Sequence, residues 1–173
     1  MKKIIFLLSA MVMLFLAGCS NSIQYSRFTP ISSQEWNMDS LAQFDYLIED
    51  TMADYQMLIY VRHTEQYPYQ NMWLFVDDAG RQDTIEFYLA DDRGQWLGNK
   101  HHGFIEMPVL WEETKHFSDT GAYTMRISHG MRDSLLRGVT DIGLEILRNG
   151  EMPISIIIIR LCLNSVAEEE NIR

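Results

Sequence analysis

Cysteine and positive charge are both scarce in this sequence. Only Cys19 and Cys162 occur in 173 residues, which excludes a scaffold held together by several disulfides. Fourteen Lys and Arg stand against 24 Asp and Glu, for a net charge of −10. That balance argues against nucleic acid or an anionic lipid surface as the main partner. No apolar run reaches the roughly 20 residues that a spanning helix needs. Catalytic signatures are missing too. There is no Gly-x-Ser-x-Gly nucleophile elbow, no His-x-x-x-His spacing and no cysteine pair to hold a metal.

What is present begins at the N-terminus. Lys2 and Lys3 precede a largely apolar stretch, Ile4 to Leu16, followed by Ala17, Gly18 and Cys19. This order is that of a secretory signal ending in a lipobox: small residues at the cleavage point and a thiol to accept lipid. Residues 1–18 are therefore expected to be removed as a lipoprotein signal peptide, with Cys19 as the lipidation site. Diacylglycerol on the thiol and an acyl chain such as palmitate on the new amino terminus would together satisfy the two-chain requirement for stable anchoring. Cleavage leaves 155 residues and, because Lys2 and Lys3 leave with no acid, moves the charge from −10 to −12. Cys162 is then the sole free thiol, so the fold depends on its apolar core. A chain of this length suits one domain.

Residues 19–37, which open with Ser20-Asn21-Ser22 and include Pro30, Ser32 and Ser33, read as a lipidated tether. Period-2 patterning then sets in. Phe44, Tyr46 and Ile48 alternate with Asp45, Leu47 and Glu49; Tyr55, Met57, Ile59 and Val61 share one face; Asn71–Asp77 and Asp83–Leu89 follow the same rule. Ala122–Ser128 and Thr140–Arg148 add two more strands, the latter with Ile142, Leu144 and Ile146 inward. Asp78-Ala79-Gly80 supplies hairpin punctuation. Met131–Arg137 reads instead as a helical turn or two. Many strands without alternating helices predict an all-β domain over residues 38–150, an antiparallel β-sandwich of jelly-roll or immunoglobulin-like kind. Residues 151–173 form an extension. Its apolar run Ile154–Leu163, interrupted by Ser155 and Arg160, is too short to span a bilayer and hazardous if left unpartnered. It is expected to dock on the sandwich or on another protein.

The chemically richest stretch, residues 83–103, reads as architecture. Asp91-Asp92-Arg93-Gly94 has turn composition. A calcium site would need six to eight oxygens, and Asp77, Asp78, Asp91 and Asp92 would converge only if two loops met. His101 and His102 are adjacent and His63, His116 and His129 scattered, so no zinc set is expected and no cofactor is implied. Paired carboxylates for glycoside hydrolysis leave no sequence mark. Among the aromatics, Trp73 is read as a plug in one sheet face. Tyr67, Tyr69 and Trp96 form the candidate partner-contact surface, since aromatic residues are favoured at interfaces.

The strings Tyr69-Gln70-Asn71-Met72-Trp73, Asp83-Thr84, Leu89-Ala90-Asp91, Gly94-Gln95-Trp96-Leu97-Gly98, Gly121-Ala122-Tyr123, Met131-Arg132 and Gly138-Val139-Thr140-Asp141-Ile142-Gly143 occur in this order. The set resembles the gliding-motility lipoprotein GldH family from the lipobox to about Leu147. The resemblance implies an outer-membrane lipoprotein. It implies a non-enzymatic accessory role in the gliding apparatus and its associated type IX secretion system, through contacts with envelope proteins. It offers no catalytic residue to carry over. The resemblance also bears on address: surface-exported lipoproteins of the family's phylum tend to carry acids just after the lipidated cysteine, and Ser20–Gln24 contains none, which favours the periplasmic face of the membrane. The alternative class is a glycan-binding envelope module, for which Trp36, Trp73, Trp96 and Trp111 would supply stacking rings.

Overall fold

The computed structural model describes residues 23–148. Eleven strands follow one another among them: β1 (Ile23–Pro30), β2 (Glu35–Asn37), β3 (Ala42–Ile48), β4 (Tyr55–His63), β5 (Asn71–Asp78), β6 (Arg81–Tyr88), β7 (Asn99–Lys100), β8 (Ile105–Lys115), β9 (Gly121–His129), β10 (Leu135–Arg137) and β11 (Val139–Arg148). They build a five-stranded sheet in the order β1-β11-β4-β8-β7, a four-stranded sheet in the order β3-β9-β5-β6, and a short β2-β10 ribbon. Every pairing is antiparallel. The expected antiparallel sandwich is the fold.

The alternation that predicted the strands is what makes the core. In β3, Ala42, Phe44, Tyr46 and Ile48 are buried while Gln43, Asp45 and Leu47 are exposed. From the facing sheet come Tyr55, Met57, Ile59 and Val61 of β4 and Ile142, Leu144 and Ile146 of β11. Each such aliphatic side chain, fully withdrawn from water, contributes about 1.5–3 kcal/mol before entropy costs. The β5–β6 hairpin pairs Asp78 with Arg81 across Ala79 and Gly80. Both of these have positive φ, 51° and 92°, as a two-residue type I′ turn demands. Asp77 Oδ1 accepts the Gly80 amide at 2.9 Å to hold it closed.

One buried polar network ties the two sheets together at an end. Asp78, the last residue of β5, is 4 % exposed. Its Oδ1 accepts from the Tyr46 hydroxyl at 2.9 Å, and its Oδ2 lies 2.6 Å from Lys115 Nζ at the end of β8. Burial, and then the neighbouring Asp78 carboxylate, push the Tyr46 phenol far above its usual range.

Two expectations are corrected. The tether over residues 19–37 is not one from Ile23 onward: β1 pairs along its length with β11, and Trp36 of β2 is 1 % exposed, with its Nε1 donating to the Ser40 carbonyl at 3.0 Å. β1 lies at a sheet edge with polar residues on both faces, so its backbone ladder, not its side-chain pattern, makes it a strand. The helical turn over Met131–Arg137 is replaced by an irregular turn and β10, whose Leu136 enters the core opposite Trp36. Cys19 and the 151–173 extension lie outside the described residues.

Candidate interaction surface

Of the three residues expected at a contact surface, the fold gives each a different place. Tyr67 is 3 % exposed; its hydroxyl donates to the Asn71 carbonyl at 2.8 Å and its ring packs at 5.6 Å from His63. It is a core residue, and that expectation is corrected. Trp96 is half-buried and edge-on to His63 at 4.7 Å, held there by a bridge to Ala90. Asp91 makes the turn between them, its Oδ1 accepting from the Arg93 and Gln95 amides at 2.9 and 2.7 Å. Tyr69 is half-buried like Trp96. Its hydroxyl donates to Asp133 Oδ2 at 2.9 Å.

Tyr69 borders a surface that the sequence reading placed wrongly. Trp73 does not plug the core: Met72, Leu74 and Val76 take the inward positions of β5, so Trp73 and Phe75 point outward, 39 % and 50 % exposed. Both parities of this strand are apolar, which hides the direction from a period-2 reading. The usable signal lay on the partner strand. Glu86 and Thr84, opposite Trp73 and Phe75, are polar and mark that side as the solvent side. Tyr88, on the same outer face of β6, is 59 % exposed.

The surroundings of the two rings are small. Phe75 lies opposite Ser128 as well as Thr84. A Cβ at Gly130 would meet Phe75 Cζ at 3.0 Å and Trp73 Cβ at 3.2 Å, so only glycine leaves this approach unhindered. Beside Trp73 a groove of about 370 Å³ is lined by Tyr69, Asn71, Trp73, Gly130, Met131 and Arg132. Strand β9 ends at His129, and the Gly130 amide makes the next contact, 2.7 Å to the Trp73 carbonyl. The Trp73 amide on the same edge meets the Met131 thioether at 3.4 Å, a weak acceptor. Two of the groove's polar side chains are engaged laterally: Asn71 Nδ2 donates to Glu86 at 2.6 Å and Tyr69 to Asp133.

The titratable groups elsewhere are dispersed. His63 is buried, with Nδ1 3.0 Å from the Thr64 carbonyl, and His129 places Nε2 3.0 Å from the Trp36 carbonyl. Burial pulls both imidazoles below their usual value, with the carbonyl contacts opposing it. His101 stacks on Phe104, and His116 pairs with Asp54 at 3.0 Å. Among the described residues, no three His, Cys, Asp or Glu side chains come together as a metal set, and no helix is long and apolar enough to cross a membrane.

Comparison with known proteins places this geometry in context. The model of a family described as GldH lipoprotein matches residues 23–146. A gliding motility lipoprotein GldH homolog of Christiangramia forsetii is 28% identical over 154 residues, covering 82% of this chain and 93% of the relative. The gliding motility lipoprotein GldH of Flavobacterium johnsoniae is 27% identical over 152 residues, covering 81% and 92%. Among solved structures, an exo-beta-1,3-galactanase from Phanerochaete chrysosporium aligns with 71% of this chain at 10% identity and a TM-score of 0.37. The match spans only 26% of that enzyme.

Proposed function

The chain belongs to the GldH lipoprotein family, and from that premise we propose that it is anchored through acyl groups on Cys19 to the periplasmic face of the outer membrane. There it serves as a non-enzymatic accessory component of the gliding and type IX secretion-associated envelope machinery. It acts by holding another envelope protein against the outer face of the four-stranded sheet. The observation that supports this is the exposed pair Trp73 and Phe75, set among Ser128, Gly130 and Thr84 and flanked by Tyr69, Met131 and Arg132. Tryptophan, tyrosine, phenylalanine, methionine and arginine are the residues enriched at protein interfaces, and a few such anchors carry most of the binding energy.

The glycan-binding reading has less support. A sugar needs several hydrogen-bonding groups converging beside the stacking ring, and here the Asn71 amide and the Tyr69 hydroxyl point their donors sideways to Glu86 and Asp133. In-cell crosslinking of a tagged chain, followed by mass spectrometry, tests the proposal. Trp73→Ser with Phe75→Ser should lose an envelope protein that the unaltered chain captures, while staying folded and in the membrane fraction. Cys19→Ala should leave that fraction altogether. Equal capture by the Trp73 and Phe75 variant removes the surface from the proposal, and binding to a glycan array in place of any protein would favour the glycan module.

A further inference from the structure

Strand β6 is outermost in the four-stranded sheet, and among the described residues β5 is its one neighbour there. The two run in unbroken register from Asp78 against Arg81 to Asn71 against Tyr88. In an antiparallel pair, residues that exchange hydrogen bonds alternate with residues whose N–H and C=O turn the other way. The Leu89 amide, directly after β6, donates to the Gln70 carbonyl at 2.6 Å, which sets the parity: Arg81, Asp83, Ile85 and Phe87 bond toward β5. The backbone groups of Gln82, Thr84, Glu86 and Tyr88 therefore point to the open edge, and all four residues are exposed. The Thr84 amide bears this out, for it donates to Asp83 Oδ1 at 2.8 Å and not to β5.

Such an edge is a template for a further strand unless the fold blunts it with lysine, proline, a bulge, inward charge or a very short length. β6 is eight residues long and contains neither lysine nor proline. Its inward charges stand only at the hairpin end, where Arg81 meets Glu112 at 2.5 Å and Asp83 accepts from Trp111 Nε1 at 3.0 Å. Beyond them the inward side chains are Ile85 and Phe87, which pack on the core and are only partly buried. The other edges offer less. β7 is two residues long, β1 has a register shift and ends at Pro30, and β3 is separated from Trp73 and Phe75 by β9. β6 lies directly against those two rings, with Glu86 opposite Trp73 and Thr84 opposite Phe75.

The chemistry of the edge selects its occupant. A row of outward N–H and C=O groups at strand spacing is met by an extended backbone, while alternate side chains supply the specificity. The charge that β6 leaves uncompensated is negative: Arg81 is committed to Glu112, and Glu86 has only a neutral donor, the Asn71 amide at 2.6 Å. With a net charge of −10 a second copy of this chain is repelled, whereas a basic side chain opposite Glu86 is favoured. We infer that the open edge of β6 takes an extended segment of the partner protein as a fifth strand of this sheet, bonded along Gln82 to Tyr88, with apolar residues beside Ile85 and Phe87 and a lysine or arginine opposite Glu86. This rests on the reading of the outer face as an interface and names the kind of segment that interface takes.

The test extends the in-cell crosslinking of the full lipidated chain. A photoreactive residue placed in turn at Gln82 and Tyr88 should label one segment of the partner, at sites as far apart along it as these two positions are along β6. Glu86→Pro removes an amide that the β5 ladder does not use, a place where a strand tolerates proline, and Glu86→Ala removes the side chain alone. Glu86→Ala should weaken capture about two- to five-fold through the lost charge pair, and Glu86→Pro about ten-fold further through the lost backbone bonds. Both, in a soluble Cys19→Ser background, should keep the near-ultraviolet circular dichroism of the unaltered fold; if Glu86→Pro does not, the labelled sites decide alone. Equal capture by the two variants would overturn the inference, as would labels scattered over the partner or falling on a second copy of this chain. If Glu86→Pro captures as Glu86→Ala does while Trp73→Ser with Phe75→Ser loses the partner, the strand fails and the outer-face reading stands. If the unaltered chain captures no envelope protein, both fall.

Discussion

Removing the carboxylate of Asp78 should be among the most damaging changes of one side chain in this fold, and the reason can be put in numbers. Asp78→Ala withdraws the acceptor from two donors at once, the Tyr46 hydroxyl and the Lys115 ammonium, 2.9 and 2.6 Å away. Breaking a buried pair from one side costs about 3–5 kcal/mol, because the remaining partner is stranded. The Lys115 side chain keeps 18 % of its exposure, so water relieves part of that, and about 3 kcal/mol is expected. For a domain of this size the loss corresponds to a fall in melting temperature of roughly 6–12 °C. Lys115→Met alone should cost about 2 kcal/mol by leaving the carboxylate with one donor. Combining Asp78→Ala with Lys115→Met should cost clearly less than the two added together, because the stranded charge is gone, with a coupling energy of about 1–2 kcal/mol. Urea unfolding of the soluble Cys19→Ser form, followed by near-ultraviolet circular dichroism, measures all four corners of the cycle. An Asp78→Ala loss below about 1 kcal/mol, or additivity within about 0.5 kcal/mol, would refute the view that this network joins the sheets.

Gly138→Ala should destabilise by about 2–4 kcal/mol, since its φ of +83° disfavours a side chain and the new Cβ would lie 2.5 Å from the Tyr67 backbone nitrogen. Gly80→Ala, at a φ of +92° but with nothing within 4 Å, should lose only about 1 kcal/mol, and thermal melts of the two should differ accordingly. Stability should also fall as pH drops through the His63 and His129 range. Both imidazoles sit below their usual 6.5 when folded, so the unfolded chain takes up protons first; stability is full above about pH 6.5 and is lost as pH falls toward the lowered folded values. His63→Phe should flatten the slope of the urea midpoint against pH between about 5 and 7, and an unchanged slope would remove His63 as a source.

Much of this fold was written in the alternation of β3, β4, β9 and β11, because each has a single wet side or lies centrally in its sheet. The Asp78-Ala79-Gly80 hairpin and the Asp91 turn were legible for a different reason: their chemistry is local and needs no tertiary context. What stayed hidden was decided by neighbours. The strand β1 has no alternating face of its own and exists through its ladder with β11. Trp73 and Met72 carry equally apolar side chains on opposite sides of β5, so which one faces water depends on β6 and β9 lying alongside. Tyr67, expected at a contact because aromatic residues are favoured at interfaces, is drawn inward by the same cluster that holds His63 and Trp96. The candidate surface was thus legible at its margin, in Tyr69, and not at its centre.

If Cys19 carries the anchor proposed above, the start of β1 at Ile23 sets how far the protein can work from a membrane. With Cys19 as the proposed anchor, only Ser20, Asn21 and Ser22 separate the lipid from the first residue of the ladder. Even drawn straight, that leash reaches roughly 14 Å at about 3.3–3.6 Å per residue, less than the width of the domain itself. The sandwich would ride pressed near the headgroups, with its altitude and tilt restricted, and would search for its partner in two dimensions. A partner engaging Trp73 and Phe75 would then have to offer its own surface at that low altitude, so the shortness of the leash would act as a selector of partners alongside the chemistry of the rings.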